Sequence, residues 1–392
     1  MLTRSMETAA AYRDPPPFSM EAQGLQLTFY PAGEDRRRAL LDIVDGARTS
    51  LKVAFYIFAD DEIGRTMRDA MVAAARRGVD VTLIVDGFGA QVDEAFFADM
   101  TEAGGTFLCF MAKWSRRALI RNHQKMLVAD DAVAMLGGFN IEDDYFAPPE
   151  ANGWNDLGLR VEGEVVGRVS EWFSQLVGWA SDDKAQFRDI RRRLREWDAR
   201  EEPVQLLIGG PIKGMSTWDE CISRDLDQGE KLDMMMAYFS PSRHLRKCIS
   251  KIAAKGQTNL IMAGKSDNGA TLGASRALYS KLLEAGARIY EFQPCKLHTK
   301  LIVLDDAVYI GSANFDMRSL YVNLEIMLRI EDAALADRMR AFIHDHLDAC
   351  EEITPEEHAR KATLLTRAKW WTCWFLVSVV DYTVSRKLNL GL

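Results

Sequence analysis

Short apolar runs bounded by turn residues alternate along this chain with stretches whose apolar positions recur every third or fourth residue. The first pattern predicts buried strands and the second amphipathic helices. Residues 51–56 (L-K-V-A-F-Y) and 232–239 (L-D-M-M-M-A-Y-F) are runs of the first kind. Helical periodicity follows each, over 63–77 and 242–254, and then a second strand, at 79–86 and 257–263. Next come helices that stop near Gly104 and Gly286, glycine being a frequent helix terminator, and a short strand. Further on, residues 156–162 (D-L-G-L-R-V-E) match 325–331 (E-I-M-L-R-I-E), an acid leading into a strand each time. Alternating strands and helices predict an α/β fold with largely parallel pairing. The order occurs twice, which predicts one half over 24–180 and a second over 205–355.

Three segments fall outside the repeat. Residues 1–23 lack a signal-like apolar region and contain three consecutive prolines, so a mobile arm is expected there. Residues 181–204 form a charged helical connector whose arginine run is expected to face solvent. Residues 356–392 form a basic, tryptophan-rich tail. From 360 onward it carries six bases against one acid, Asp381. Its apolar run, 370–380, is too short to span a bilayer. Trp370, Trp371 and Trp374 open that run, and tryptophan with flanking bases favours an anionic membrane interface. The expectation is an amphipathic helix lying on lipid, with a terminal helix docked on the protein core as the alternative.

The repeat carries a motif. Residues 123–130 read H-Q-K-M-L-V-A-D and 298–305 read H-T-K-L-I-V-L-D. Each is followed by a small-residue turn ending in asparagine: Gly137-Gly138-Phe139-Asn140, then Gly311-Ser312-Ala313-Asn314. Two of only six histidines occupy this pattern, which points to one active centre built by both halves.

The residue types suit phosphoryl chemistry. On a strand, positions i and i+2 share a face, so His123 and Lys125 point together, as do His298 and Lys300. Two ammonium groups stabilise the non-bridging oxygens of a phosphodiester without a metal. Asn140 and Asn314 add hydrogen bonds, and Gly138 and Ser312 let backbone N–H groups approach an anion. One neutral imidazole attacks phosphorus, and the other, protonated, supplies the leaving alkoxide's proton. Asp156 and Glu325 are candidates to orient the imidazoles through their second ring nitrogens. No cofactor is expected.

Composition trims the alternatives. A net charge of −8 argues against a general nucleic-acid binder. Six scattered cysteines without a C-x-x-C pair read as reduced thiols rather than disulfides or a metal site. His344-x-His346 lacks the companions a metal needs and reads as a coincidence of helix spacing. Asp86 and Gly87, and in the second half Lys265 and Asp267, sit at strand ends where α/β folds place ligands. Tyr56 and Tyr238 occupy equivalent strand ends, which leaves them either lining the cleft or packed in the core.

These motifs, His-x-Lys-x4-Asp followed by Gly-Gly/Ser-x-Asn, resemble those of the phospholipase D superfamily over roughly residues 25–350. More narrowly the chain is similar to bacterial cardiolipin synthases of the phospholipase D type. The similarity rests on residues 121–125, Tyr145, 154–156, 238–241, 265–267, 311–319 and 323–325. Gln124 departs from it, since these synthases often carry arginine there, and the N-terminal membrane helices of the longer synthases are absent. The resemblance implies two α/β halves with pseudo-twofold symmetry and the site between them. It implies His123 as nucleophile and His298 as acid/base, and counts Asp130 and Asp305 with the catalytic set, as network acids at the far strand ends. It implies phosphatidyl transfer between two phosphatidylglycerols, with peripheral attachment to the cytoplasmic face of a bacterial cell membrane. A phospholipase D using water as acceptor would employ the same residues. A nuclease of the superfamily is disfavoured by the acidic chain and the tail, and a non-catalytic scaffold by the complete motifs.

Overall fold

The computed structural model describes residues 12–111, 120–182, 184, 186–200 and 203–381. The first half contains β1 (Phe18–Ala22), β2 (Leu25–Tyr30), β3 (Ser50–Phe55), β4 (Asp80–Asp86), β5 (Thr106–Phe110), β6 (Met126–Ala129), β7 (Val133–Gly137), β8 (Trp154–Asn155) and β9 (Gly158–Glu162). All but β8 join one sheet, in the order β1-β2-β9-β7-β6-β3-β4-β5. The second half contains β10 (Val204–Gly209), β11 (Leu232–Met236), β12 (Phe239–Ser240), β13 (Thr258–Ala263), β14 (Arg288–Phe292), β15 (Lys296–Leu297), β16 (Lys300–Leu304), β17 (Ala307–Gly311), β18 (Phe315–Asp316), β19 (Glu325–Glu331) and β20 (Cys350–Glu352). Its sheet runs β10-β19-β17-β16-β11-β13-β14-β20. Seven strands of each sheet thus follow one plan, as the duplication predicts.

The expected parallel pairing holds only in part. β3, β4 and β5 are parallel, as are β11, β13 and β14, where helices make the crossovers. Every other join in the two sheets is antiparallel. The reason is local. Asp130 and Asp131 turn the chain between β6 and β7 with φ of 55° and 54°, the geometry of a tight hairpin, and Asp305 turns the β16–β17 hairpin with φ of 50°. Asparagine and aspartate tolerate that conformation better than other non-glycine residues.

The sheets share a core. Helix Val165–Ala180 and helix Ala333–Asp345 lie between them, and one apolar cluster takes Leu27 and Val161 from one sheet, Leu206 and Val303 from the other, and Trp172 from between. Outer helices cover the remaining faces, Glu62–Arg76 in the first half and Arg243–Ala253 with Gly269–Glu284 in the second. The connector forms the helix Phe187–Glu196, which buries Ile190 and Leu194 and keeps most of its arginines outward.

The N-terminal expectation needs correction. Residues 18–22 are a sheet strand rather than part of a mobile arm, and Tyr12 and Asp14 both accept hydrogen bonds from Asn155 Nδ2 at 3.0 and 2.9 Å. Apolar alternation in F-S-M-E-A was the signal, masked by the prolines before it. Residues 1–11 lie outside the described residues.

The tail helix, Leu364–Phe375, continues as one π-helical turn over Leu376–Asp381. One face packs on helix Gly269–Glu284. A Cβ on Gly273 would stand 2.8 Å from Cys373 Sγ, so the close approach depends on that glycine. Trp370 stacks on His358 with ring centroids 5.1 Å apart. The other face leaves Leu364, Leu365, Trp371 and Phe375 exposed. Among the described residues no helix is long and apolar enough to cross a membrane.

Candidate active site

Both motif histidines lie just before a strand rather than on it, because β6 begins at Met126 and β16 at Lys300. Each is hung on the backbone of the opposite half. Asn122 bridges to Leu324, and His123 N donates to Leu324 O at 3.0 Å. β15 pairs with β8, and His298 N donates to Asn155 O at 2.7 Å. Folding therefore carries both imidazoles into one cleft of about 490 Å³, which Asn140, Asn314, Tyr56 and Tyr238 also line.

The carboxylates cross the same interface. His123 Nδ1 lies 2.9 and 3.0 Å from the two Glu325 oxygens, and His298 Nδ1 lies 2.7 Å from Asp156 Oδ2. Both carboxylates are fully buried. With Nδ1 engaged, Nε2 is the ring nitrogen left for chemistry. Tyr56 packs on the His123 ring at 5.0 Å, and Tyr145 and Trp154 on the His298 ring at 5.0 and 5.1 Å.

Two buried lysines complete the centre. Lys125 Nζ donates to His123 O at 2.6 Å, and Lys300 Nζ lies 2.8 Å from His298 Nδ1. Burial pulls the Lys300 ammonium down to about 8, against the attraction of Asp156 and Glu325. Burial and neighbouring Lys300 lower Lys125 as well, although Glu325 opposes them. Burial and the lysines hold both imidazoles neutral, with His298 lowered to about 3. Burial raises the Glu325 carboxyl to about 7, opposed by Lys125 and Ser312. Asp156 goes the other way. His298, Lys300 and Arg36 together outweigh burial and keep it ionised. Such an arrangement, two nucleophilic nitrogens among buried cations, suits a phosphodiester anion.

A family model described as "Cardiolipin synthase, PLD-like domain" matches residues 40–177 and 222–347. The chain belongs to that family. It is 26% identical over 339 residues to a cardiolipin synthase of Clostridium perfringens, covering 83% of this chain and 71% of that one. It is 26% identical over 343 residues to the major cardiolipin synthase ClsA of Bacillus subtilis, covering 84% and 70%. The crystal structure of phosphatidylserine synthase from Haemophilus influenzae has the same fold, with a TM-score of 0.69 at 14% identity over 98% of this chain and 99% of that one. Family membership makes the chain a phosphatidyltransferase-type enzyme of the phospholipase D superfamily.

Within this cardiolipin synthase family member, the remaining motif residues divide by position. Asn140 Oδ1 accepts from Ile57 N at 3.0 Å and steadies the cleft wall, while Asn314 Oδ1 is buried without a hydrogen-bond partner among the described residues. Ser312 Oγ donates to Glu325, and it accepts from Ile326 N at 3.0 Å. At the equivalent position a Cβ on Gly138 would stand 2.8 Å from both Asp156 Oδ1 and Lys300 Cδ. Gly138 and Ser312 thus shape the carboxylates' surroundings. Asp130 and Asp305 do not join the cleft. Asp130 accepts from the backbone N–H groups of Arg48, Thr49 and Ser50, and Asp305 from those of Glu230 and Lys231. They tie each hairpin to the neighbouring strand's start.

Gln124, the departure from the motif noted in the sequence, is not part of the cleft wall. It is fully buried, donates to Glu325 O at 2.9 Å and accepts from Trp172 Nε1 at 2.9 Å. Asp86 holds the backbone just before His123 by accepting from Asn122 N at 2.6 Å. Tyr238 donates to Asp267 on the cleft wall at 3.1 Å, whereas Lys265 bonds Pro294 O. His344 bonds Asp233 and His346 bonds Phe342 O, so the two histidines point to separate partners. Among the described residues no cluster of three or more His, Cys, Asp or Glu is placed to hold a metal.

Sequence reasoning missed two contributors. Arg36, fully buried, donates to the backbone carbonyls of Tyr30, Pro31, Tyr145, Trp154 and Asp156 and so fixes the segment that presents Asp156. It stands in a run of three arginines, and nothing in the run marks which is buried. The second is the tail, whose Leu376, Val377 and Asp381 form part of the cleft wall.

Proposed function

We propose that this enzyme makes cardiolipin from two phosphatidylglycerols, releasing glycerol, through a phosphatidyl-histidine intermediate. The observation that carries the reading is the crossed pairing of each imidazole with a buried carboxylate of the other half. It leaves two Nε2 atoms for opposite tasks on one phosphorus. His123, the more exposed of the two, attacks the donor's phosphorus. Lys125 and Lys300 balance the charge on the non-bridging oxygens, assisted by the side chains of Asn140 and Asn314. The arriving phosphodiester offsets the lysines' charge, so His298, backed by ionised Asp156, takes up a proton and gives it to the departing glycerol oxygen. The same nitrogen then removes the proton from the acceptor's hydroxyl. That hydroxyl attacks the phosphatidyl-histidine, forms cardiolipin and frees His123.

The tail helix is the proposed membrane contact. Its exposed leucines and aromatics lie on the same segment as Arg367 and Lys369, a combination that favours an anionic lipid surface. Attachment is peripheral, at the cytoplasmic face of a bacterial cell membrane, and nucleic acid is not a substrate.

The deciding experiment is lipid mass spectrometry after incubation with phosphatidylglycerol vesicles, beside a His123→Ala control. Cardiolipin that depends on His123 is the expected result. Phosphatidate alone would make the protein a hydrolase on the same fold, and turnover of neither kind would redirect attention to other phosphodiesters.

A further inference from the structure

Cardiolipin synthesis poses a problem that the catalytic centre alone leaves open. The acceptor is an alcohol that carries a phosphodiester of its own, three carbons from the attacking oxygen. Water and free glycerol lack it. A second anion site near the first would therefore select the lipid acceptor.

Two guanidinium groups stand on the cleft wall beside His123, one from each half. Arg121 Nη1 donates to Tyr56 Oη at 3.1 Å, and its guanidinium carbon lies 4.9 Å from the centre of the exposed Phe88 ring. Its Nε is buried without a hydrogen-bond partner among the described residues. Arg318 Nη1 donates to both carboxylate oxygens of Asp381, at 2.9 and 3.1 Å. The backbone joins the two arginines: Leu324 N donates to Arg121 O, and Asn323 N to Arg318 O, each at 2.9 Å. Both charges act on Tyr56 and on His123, so they share one region of the cleft mouth. The acids nearby are otherwise engaged. Asp316 accepts from the Arg318 and Ser319 N–H groups, and Asp267 from Tyr238 and Ser266.

Asp381 is the telling member. It belongs to the tail, whose helix also presents apolar and basic residues to the outside. A carboxylate held by two contacts to a guanidinium occupies the place a phosphate would take. We propose that Arg121 and Arg318 form a second phosphate subsite for the acceptor lipid's own phosphodiester, and that Asp381 fills it until the tail engages lipid. The exposed tail residues gain by leaving water for the membrane interface, which draws the carboxylate away as the phospholipid surface arrives.

This inference rests on the synthase reading, and its test separates the two. Full-length enzyme is given phosphatidylglycerol vesicles and labelled glycerol, and the ratio of cardiolipin formed to headgroup exchanged with glycerol is read. The ratio does not depend on how much enzyme is folded. Arg318→Gln and Arg121→Gln should each lower it about tenfold, the scale of one charge-assisted contact. Asp381→Asn should raise it about threefold by removing the competing carboxylate. Glycerol 3-phosphate, a soluble acceptor with a phosphate but no acyl chain, should outcompete glycerol in the wild type and lose that advantage in Arg318→Gln. If it gains nothing while lipid still does, the selection comes from the membrane surface and the subsite is wrong. An unchanged ratio in both arginine variants also overturns the subsite, and an unchanged ratio in Asp381→Asn overturns the tail's part in it. A wild type that exchanges glycerol but makes no cardiolipin would instead bring down the synthase reading, and this inference with it.

Discussion

The two histidine sites are built alike and tuned apart. His298 sits on a short aspartate whose negative charge is favoured by Lys300, by His298 itself and by nearby Arg36. Its ring is enclosed by Tyr145 and Trp154, and its side chain is 5% exposed. His123 sits on a longer glutamate whose carboxyl burial raises to about 7, and its side chain is 12% exposed. Ser312 donates to that glutamate, while Gly138 at the matching position adds no donor and lets Lys300 and Asp156 crowd in. In the proposed double displacement, His298, backed by its ionised aspartate, is the member that takes up and returns a proton once substrate is bound, and the more open His123 is the one that meets phosphorus.

The strongest way to break that comparison is to remove each imidazole. His123→Ala and His298→Ala should each lower turnover of phosphatidylglycerol by about 100-fold or more. They should part company on a phosphatidyl donor with p-nitrophenol as leaving group. That leaving group needs no proton, so His298→Ala should still release it and His123→Ala should not. Release by His123→Ala and not by His298→Ala would reverse the assignment. Lys125→Ala and Lys300→Ala come next, with losses of about 100-fold in kcat, measured as glycerol release. The carboxylates should be unequal. Asp156→Asn is expected to cost more than Glu325→Gln, about 100-fold against about tenfold, because only Asp156 is charged throughout the neutral range. Equal losses would contradict the proposed tuning.

The smallest effect expected is on pH. Glu325 is raised to about 7, so it gains its negative charge as pH rises through that value and then supports His123. Lys300 is lowered to about 8, so it loses its positive charge as pH rises further. The profile of kcat/KM should therefore be a narrow bell with limbs near these values, which belong to the coupled centre as a whole. Lys300→Arg, whose charge persists, should flatten the alkaline limb, and Glu325→Gln the acid limb. A profile unchanged in both variants would show that neither group governs it.

Much of this was legible in the chain. The strand and helix order could be read because each element writes its own short-range pattern, and helix Glu62–Arg76 and strands β3 and β4 fall within a residue or so of their expected places. The motif residues His123, Lys125, His298 and Lys300 could be read because the duplication repeats their spacing. Strand direction could not, because a run such as M-L-V-A is equally apolar in a parallel or antiparallel neighbour, and the hairpin turns at Asp130 and Asp305 decided it. The same turns explain why the motif's aspartates sit far from the cleft.

What the sequence determined by itself was a duplicated α/β chain with paired histidines and lysines, since periodicity and spacing are properties of neighbours along the chain. Only the tertiary structure decided which carboxylate serves which histidine. Glu325 reaches His123 across 202 positions and Asp156 reaches His298 across 142, each from the opposite half. It also decided that Arg36, alone of three adjacent arginines, is drawn inside to bind five carbonyls, and that Asp381 of the tail meets Arg318. Burial and charge pairing are set by what the fold brings alongside, and that is where the two sites became different.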